Sequence, residues 1–554
     1  MKNKFIIKLL TITLSSVLLF SSVACNSESN VPKLPEYSSN KESIDFFAYN
    51  GPTDGIYYFD TEKRDYGSFR TVEGYQEYKE AGFDTLYLTD TAAFNVETDV
   101  WGDVNKSETY KCFVNATEAG IQKIILEDAK FEKLIIKPNL VGGNKSVYKD
   151  ESELLDAVYN ELKIYCYEKG FYGVKLGDKP KHDVIESYGY VYKAIREATK
   201  KLYEEGLLTG KNEGIMKNNG YIAIHVNIAQ IDYTGLSEFY APPLIDDADE
   251  EYYDTYKDSY SRYILSMIES CGGGYNEQTK FGIDKISVGI NLFKKEKFTD
   301  GLYPMLQTIK EICKQEGVEL TYVCQSMTTY TADALMYDSV SEAEMTLEIY
   351  SALGFGAKSI SYYTYMPTAN YSTLGEKMLD DGCFVSRDGQ KNNVYYYGQQ
   401  LISEIRAIES ILTAYEFTGA KLYTAPKSEF KGNINQYLYT GEDPICDEDG
   451  RKIEFDNSYT LNRIKNLTIN NDIALVTEYK DSVNDLYMYM VQNIMDPRNS
   501  TEFNTAENVT VTFDSSYTYV AEIESGKISY VKLENGVYSK VLSAGYAVFL
   551  IPLK

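Results

Sequence analysis

The chain has 554 residues, 44% of them hydrophobic and 25% charged, enough to bury more than one core. Its formal net charge is −27, and no basic stripe opposes it, which excludes nucleic acid as a partner and disfavours anionic lipid surfaces. Eight cysteines without a CxxC pair and only two histidines, His182 and His225, indicate no metal centre, redox framework or cofactor.

The first 24 residues combine Lys2, Lys4 and Lys8 with the apolar run "LLTITLSSVLLF" and the small residues "SSVA", the pattern of a secretory signal. Cys25 then stands where bacterial lipoproteins carry their lipidated N-terminal cysteine, although Ser22 replaces the usual leucine. The polar, Ser/Asn-rich stretch through residue 43 reads as a tether. The expected place is therefore the bacterial cell surface, outside the cytoplasm, with the membrane met through the lipid anchor alone. Oligomeric state is not legible.

Eight short apolar runs follow, at 45–51, 83–90, 123–130, 173–180, 221–228, 284–291, 319–326 and 359–366. Between them lie stretches such as "ELLDAVYNELKIYCYEKG", with apolar residues at three- and four-residue spacing and a closing glycine. Strand–helix alternation predicts parallel strands, and eight units predict a (βα)8 barrel over residues 44–415. No glycine-rich phosphate loop follows the first strand, which argues against a doubly wound sheet. From 416 to 554 the pattern becomes strand after strand with short turns, Ser525-Gly526 and Asn535-Gly536 among them. An antiparallel β-sandwich is expected there.

Polar residues at the C-terminal ends of barrel strands face the mouth. By that rule Asp90, one of Glu127 and Asp128, Asp178, Lys179, Asn227, Asn291 and Gln325 are candidates for ligand contact. Amides suit sugar hydroxyls because they both donate and accept. Tyr363 and Tyr365, and Trp101 in the loop after the second strand, are candidate platforms for a sugar face. Each has a plainer reading as well: loop-capping amides, an Asp178–Lys179 ion pair, and tyrosines that fill the core. The acidic runs 245–258 and 441–450 do not match a calcium loop and read as solvated.

"YQEYKEAGFDTLYL", "FYGVKLGDKP" and "EIYSALGFGAKSISYYTYMPT", in that order and followed by a β-rich C-terminus, resemble bacterial (βα)8 glycoside hydrolases of the β-galactosidase-like kind. The resemblance runs from about residue 45 to the end and implies a carbohydrate ligand. It also implies an acid/base glutamate closing strand four and a nucleophilic glutamate closing strand seven. This sequence has Lys179 at the first place and Gln325 at the second. Retaining hydrolysis needs two carboxyl groups roughly 5–5.5 Å apart, and neither lysine nor amide supplies one. The resulting expectation is a glycan-engaging lipoprotein with a degenerate or altered site. Two alternatives stand beside it: an active glycosidase using Asp178 with Asp128 or a substrate-supplied nucleophile, and a structural surface protein without a sugar ligand.

Overall fold

The computed structural model describes residues 31–37, 43–59, 62–88, 101–208, 222–228, 259–274, 282–289, 301–330, 335–337, 339–367, 379–425, 454–470, 473–499 and 506–554. Cys25, Asp90, Asn291 and the two acidic runs, 245–258 and 441–450, lie outside them. Among the described residues no helix is long and apolar enough to cross a membrane.

Eight parallel strands form one sheet: β1 (Asp45–Ala48), β2 (Thr85–Leu88), β3 (Lys123–Leu126), β4 (Phe171–Asp178), β5 (Ala223–Asn227), β6 (Lys285–Gly289), β7 (Glu319–Gln325) and β8 (Ser359–Tyr363). Their order in the sheet is β1-β8-β7-β6-β5-β4-β3-β2, the sequential order of a barrel. Side chains stitch its last seam. The Asp84 N–H donates to Phe46 O at 3.1 Å, and Asp84 Oδ1 accepts from Phe46 N at 3.1 Å. Tyr78 bridges the same strands, its hydroxyl accepting from Ala48 N and donating to Thr85 O, each at 2.9 Å.

The helices start where the sequence supplies caps. In α1 (Val72–Glu80) and α2 (Glu108–Glu118) the caps are Thr71 and Ser107. In α3 (Ala129–Ile135) and α4 (Glu151–Tyr165) they are Asp128 and Asp150. Each side-chain oxygen takes an amide N–H that the first turn leaves unpaired. The outer layer continues with α5 (Ile185–Glu204), α6 (Ser259–Ser270), α7 (Leu302–Glu316), α8 (Glu342–Gly354) and α9 (Asn393–Leu412). Ser341 and Glu344 close a reciprocal capping box on α8. Arg406 of α9 reaches the barrel seam, donating to Asp84 Oδ2 at 2.6 Å and to Ile44 O at 2.7 Å.

The C-terminal domain is a sandwich of antiparallel strands: β9 (Glu416–Thr424), β10 (Ile464–Thr468), β11 (Ile473–Asp481), β12 (Leu486–Asn493), β13 (Glu507–Phe513), β14 (Tyr519–Glu524), β15 (Lys527–Lys532), β16 (Val537–Leu542) and β17 (Ala547–Leu553). One sheet runs β9-β11-β12-β17-β14-β15 and the other β10-β13-β16. Between them lies a core that includes Val476, Val491, Val511, Phe513 and Leu550.

Barrel and sandwich share a single continuous core through α8, which is buried on every side. Tyr479 donates to the carbonyls of Leu353 at 2.6 Å and Gly354 at 2.7 Å, and Gln492 Nε2 donates to Leu347 O at 3.0 Å. A Cβ on Gly354 would lie 2.5 Å from Met490 Cε, so glycine lets the helix end meet the sheet. The six described cysteines are buried thiols, none of them in a disulfide.

Candidate functional site

Inside the barrel the pleat lines up every second residue of each strand. The register pairs Asp45 with Ser359, Ser359 with Thr321, Thr321 with Ser287, Ser287 with Asn227 and Asn227 with Asp178. A small cluster of Phe47, Tyr49, Tyr87, Ile125, Tyr172 and Ala223 fills part of this interior, separate from the large core between sheet and helices. Polar and charged side chains occupy the rest.

At the N-terminal end Asp45 receives two lysines, Lys123 and, at 2.5 Å, Lys285, which also donates to Ser359 Oγ at 2.6 Å. Burial opposes the Asp45 charge, yet the two ammonium groups outweigh it and hold the carboxyl well below its usual range. Midway, His225 shares a short hydrogen bond with the Tyr87 hydroxyl. Burial, helped by Lys285, depresses its pKa to about 3, so the ring is neutral.

The mouth is built by the ends of β3 to β8. Strand β4 ends in a bulge: Lys175 pairs with His225, but the next match is Asp178 with Asn227. Gly177, at φ 57°, makes this possible, and a Cβ there would sit 2.4 Å from the Tyr188 hydroxyl. The extra residue brings Asp178 beside β5, where its carboxylate accepts from Asn227 Nδ2. Asn227 Oδ1 in turn accepts from Ser287 Oγ at 2.9 Å. Asp178 is exposed, whereas Asn227 and Ser287 are buried.

Lys179 follows in the left-handed region at φ 48°, its backbone N–H donating to Asn227 O at 2.9 Å and its side chain exposed. The partner of Asp178 is thus the Asn227 amide, where the sequence alone also allowed an ion pair with Lys179.

Of the two acids after β3, Glu127 faces inward and Asp128 outward. Glu127 Oε1 lies 3.0 Å from the ammonium of Lys175, which is only 4% exposed and sits 5.3 Å from the Tyr49 ring centroid. Burial raises the Glu127 pKa, and Lys175 only partly offsets that. Burial works against the Lys175 charge, but Glu127, Tyr49 and Asp178 together hold its pKa above the ordinary value.

Asp128, expected as the partner of Asp178, does not reach the mouth. It caps α3 through Lys130 N at 2.8 Å and accepts from Tyr165 at 2.7 Å, buried between β3 and the helices. Burial and the neighbouring Glu161 push it up to about 7. The two acids that do line the mouth are Glu127, just past the end of β3, and Asp178, the last residue of the neighbouring β4.

On the opposite side, Gln325 ends β7 on the inward row, in register with Tyr363. Its amide donates to Met327 O at 3.3 Å. Its backbone N–H is held at 2.8 Å by Glu348 of α8, whose carboxyl also accepts from Cys324 Sγ and Tyr322. Burial raises Glu348 to about 8, and it lies behind the barrel wall. Tyr363 stands at the mouth with its ring 6.1 Å from that of Tyr49, and its peptide bond to Thr364 is cis.

Two aromatic candidates lie elsewhere. Tyr365 is buried in the outer layer, edge-on to Tyr78 at 4.9 Å and beside Phe384. Trp101 packs edge-on against Tyr110 and Phe113 of α2, with Nε1 donating to Glu168 at 2.8 Å. Both rings fill the helical layer rather than the mouth.

Sequence reasoning missed Lys175, His225 and Glu348. A lysine at the centre of the apolar strand "FYGVKLGD", in phase with the inward Gly173, was the available signal for the first. Among the described residues no group of three His, Cys, Asp or Glu side chains could hold a metal ion.

No family model and no curated protein sequence matches the chain. Solved structures align with it in fold. A family 39 glycoside hydrolase from Bacteroides cellulosilyticus is 11% identical over 94% of this chain and 83% of that one, with a TM-score of 0.41. A family 5 glycoside hydrolase from Bacteroides vulgatus is 9% identical over 88% and 87%, TM-score 0.42. An α-amylase from Geobacillus thermoleovorans is 13% identical over 93% and 98%, TM-score 0.43.

Proposed function

We propose that the protein engages glycans at the barrel mouth as a cell-surface lipoprotein, with a site that lacks the opposed carboxylate pair of a retaining glycosidase. The observation that carries this reading is the make-up of four consecutive strand ends, β4 to β7. Asp178, Asn227 and Ser287 form a polar row. On β7, the strand beside that of Ser287, Gln325 ends the inward row at the place where the family resemblance puts a nucleophilic carboxylate. Carboxylate, amide and hydroxyl groups together suit a ligand whose hydroxyls both donate and accept. Tyr363 adds a partly exposed ring beside them.

The test is a glycan array probed with the labelled mature protein and with Asp178→Asn and Tyr363→Ala. Binding that both variants weaken by about tenfold, roughly 1.4 kcal/mol, is expected. Absence of any bound glycan sinks the reading. The anchor at Cys25 is tested separately by membrane fractionation, where Cys25→Ser is expected to release the protein.

A second reading rests on Glu127, just past β3, and Asp178, at the end of the adjacent β4, both acting on Lys175. With its pKa raised by burial, Glu127 is suited to give a proton, and the exposed Asp178 to accept one. In that case the protein is an active glycosidase with altered carboxylates. Turnover that Glu127→Gln and Asp178→Asn each abolish would establish it in place of the first.

A further inference from the structure

At the end of the barrel away from the mouth, a cavity of about 290 Å³ opens between the barrel and the β domain. Its lining brings together Lys310 and Lys314 of α7, Lys358 just before β8, and Tyr415 and Phe417 at the start of β9.

Lys310 and Lys314 are four residues apart on one helix face, a like-charge spacing that destabilises a helix. Among the described residues Lys310 makes no ion pair, and its ammonium lies 5.9 Å from the Phe417 ring centroid. Burial, with Lys358 and Lys314 adding their repulsion, depresses its pKa. One carboxylate lines the cavity, Glu416, and it is exposed. In a chain of net charge −27, three lysines around one cavity form a local field of the opposite sign.

We propose that this cavity binds an anion carrying a phosphate or carboxylate group, held by Lys310, Lys358 and Lys314. An ammonium–oxyanion contact is a strong charge-assisted hydrogen bond, and a bound anion offsets the repulsion that Lys358 and Lys314 exert on Lys310. Two sources share this chemistry. Tyr37, on the segment leading from Cys25, donates to Tyr415 on the same rim at 3.0 Å. The intervening chain reaches at most about 40 Å. With the proposed anchor in place, the cavity therefore stands within reach of lipid headgroups as well as of soluble anions.

The test is calorimetric titration of the mature protein with inorganic phosphate and with malonate, beside sedimentation with phosphatidylglycerol or phosphatidylcholine vesicles. Saturable binding of either small anion, weakened about tenfold by Lys310→Met and kept within about threefold by Lys310→Arg, is expected. Lys314 is exposed, so Lys314→Met keeps the fold and serves as a second variant, with a loss of about threefold expected. Sedimentation with phosphatidylglycerol alone that Lys310→Met abolishes assigns the anion to a lipid headgroup. Small-anion binding without sedimentation assigns it to a soluble ligand. Absence of both, or binding that neither Lys310→Met nor Lys314→Met weakens, overturns the proposal.

Discussion

Lys175 and Glu127 face each other at 3.0 Å across adjacent strands inside the barrel mouth, with side-chain exposures of 4% and 12%. Such a pair loses hydration on both sides, and its net contribution depends on neither partner being left alone. Lys175→Met strands a buried carboxylate, so a loss of about 3–5 kcal/mol is expected in urea denaturation. The double replacement Lys175→Met with Glu127→Met removes both charges and is expected to cost less than Lys175→Met alone.

Asn227 links two neighbours, donating to Asp178 and accepting from Ser287 at 2.9 Å. Asn227→Ala leaves the buried Ser287 hydroxyl without that acceptor and is expected to cost about 1–3 kcal/mol. Glycan binding is expected to fall further than in Asp178→Asn, because the whole polar row loses its order. Stability and binding measured on the same sample check both.

Trp101 separates a structural aromatic from a binding one. Its ring meets Tyr110, Phe113 and Tyr165, all in the helical layer. Trp101→Ala is expected to cost about 3–5 kcal/mol of stability. Glycan affinity of the folded fraction, by contrast, is expected to stay at the wild-type value. Selective loss of binding with unchanged stability would place Trp101 at the ligand.

Glu348 gives stability a pH dependence. Its folded pKa of about 8 lies above the ordinary carboxyl value, so the native state favours the protonated form. The stabilisation is whole below the unfolded value of about 4.3 and is lost as pH climbs through the folded value. Denaturation midpoints are therefore expected to fall between pH 5 and pH 8, and to fall less in Glu348→Gln. Asp128, raised to about 7 by burial, contributes in the same direction, as do the raised carboxyls of Glu127, Asp284 and Glu344, so a residual slope is expected.

The barrel and the sandwich are legible in the sequence because they rest on periodicity. Strand runs of four to eight residues alternate with capped amphipathic helices until the pattern turns to strands alone. The site is less legible because facing depends on register. A single bulge near Gly177 moves Asp178 into line with Asn227 and leaves Lys179 exposed, which counting along the strand does not reveal. Alternation after β3 leaves Glu127 and Asp128 as a pair, and only the capped start of α3 decides between them. Tyr365 and Trp101 lie near strand ends in the sequence, but their rings are drawn into the outer layer by Tyr78, Phe384, Tyr110 and Phe113.

A barrel that holds glycan without opposed carboxylates, as proposed, binds its ligand and does not cleave it. The direct measurement is release of reducing ends by the wild-type protein from each glycan it binds on the array. Binding with no release above the protein-free rate is the predicted result. Release that disappears in both Asp178→Asn and Glu127→Gln would contradict it.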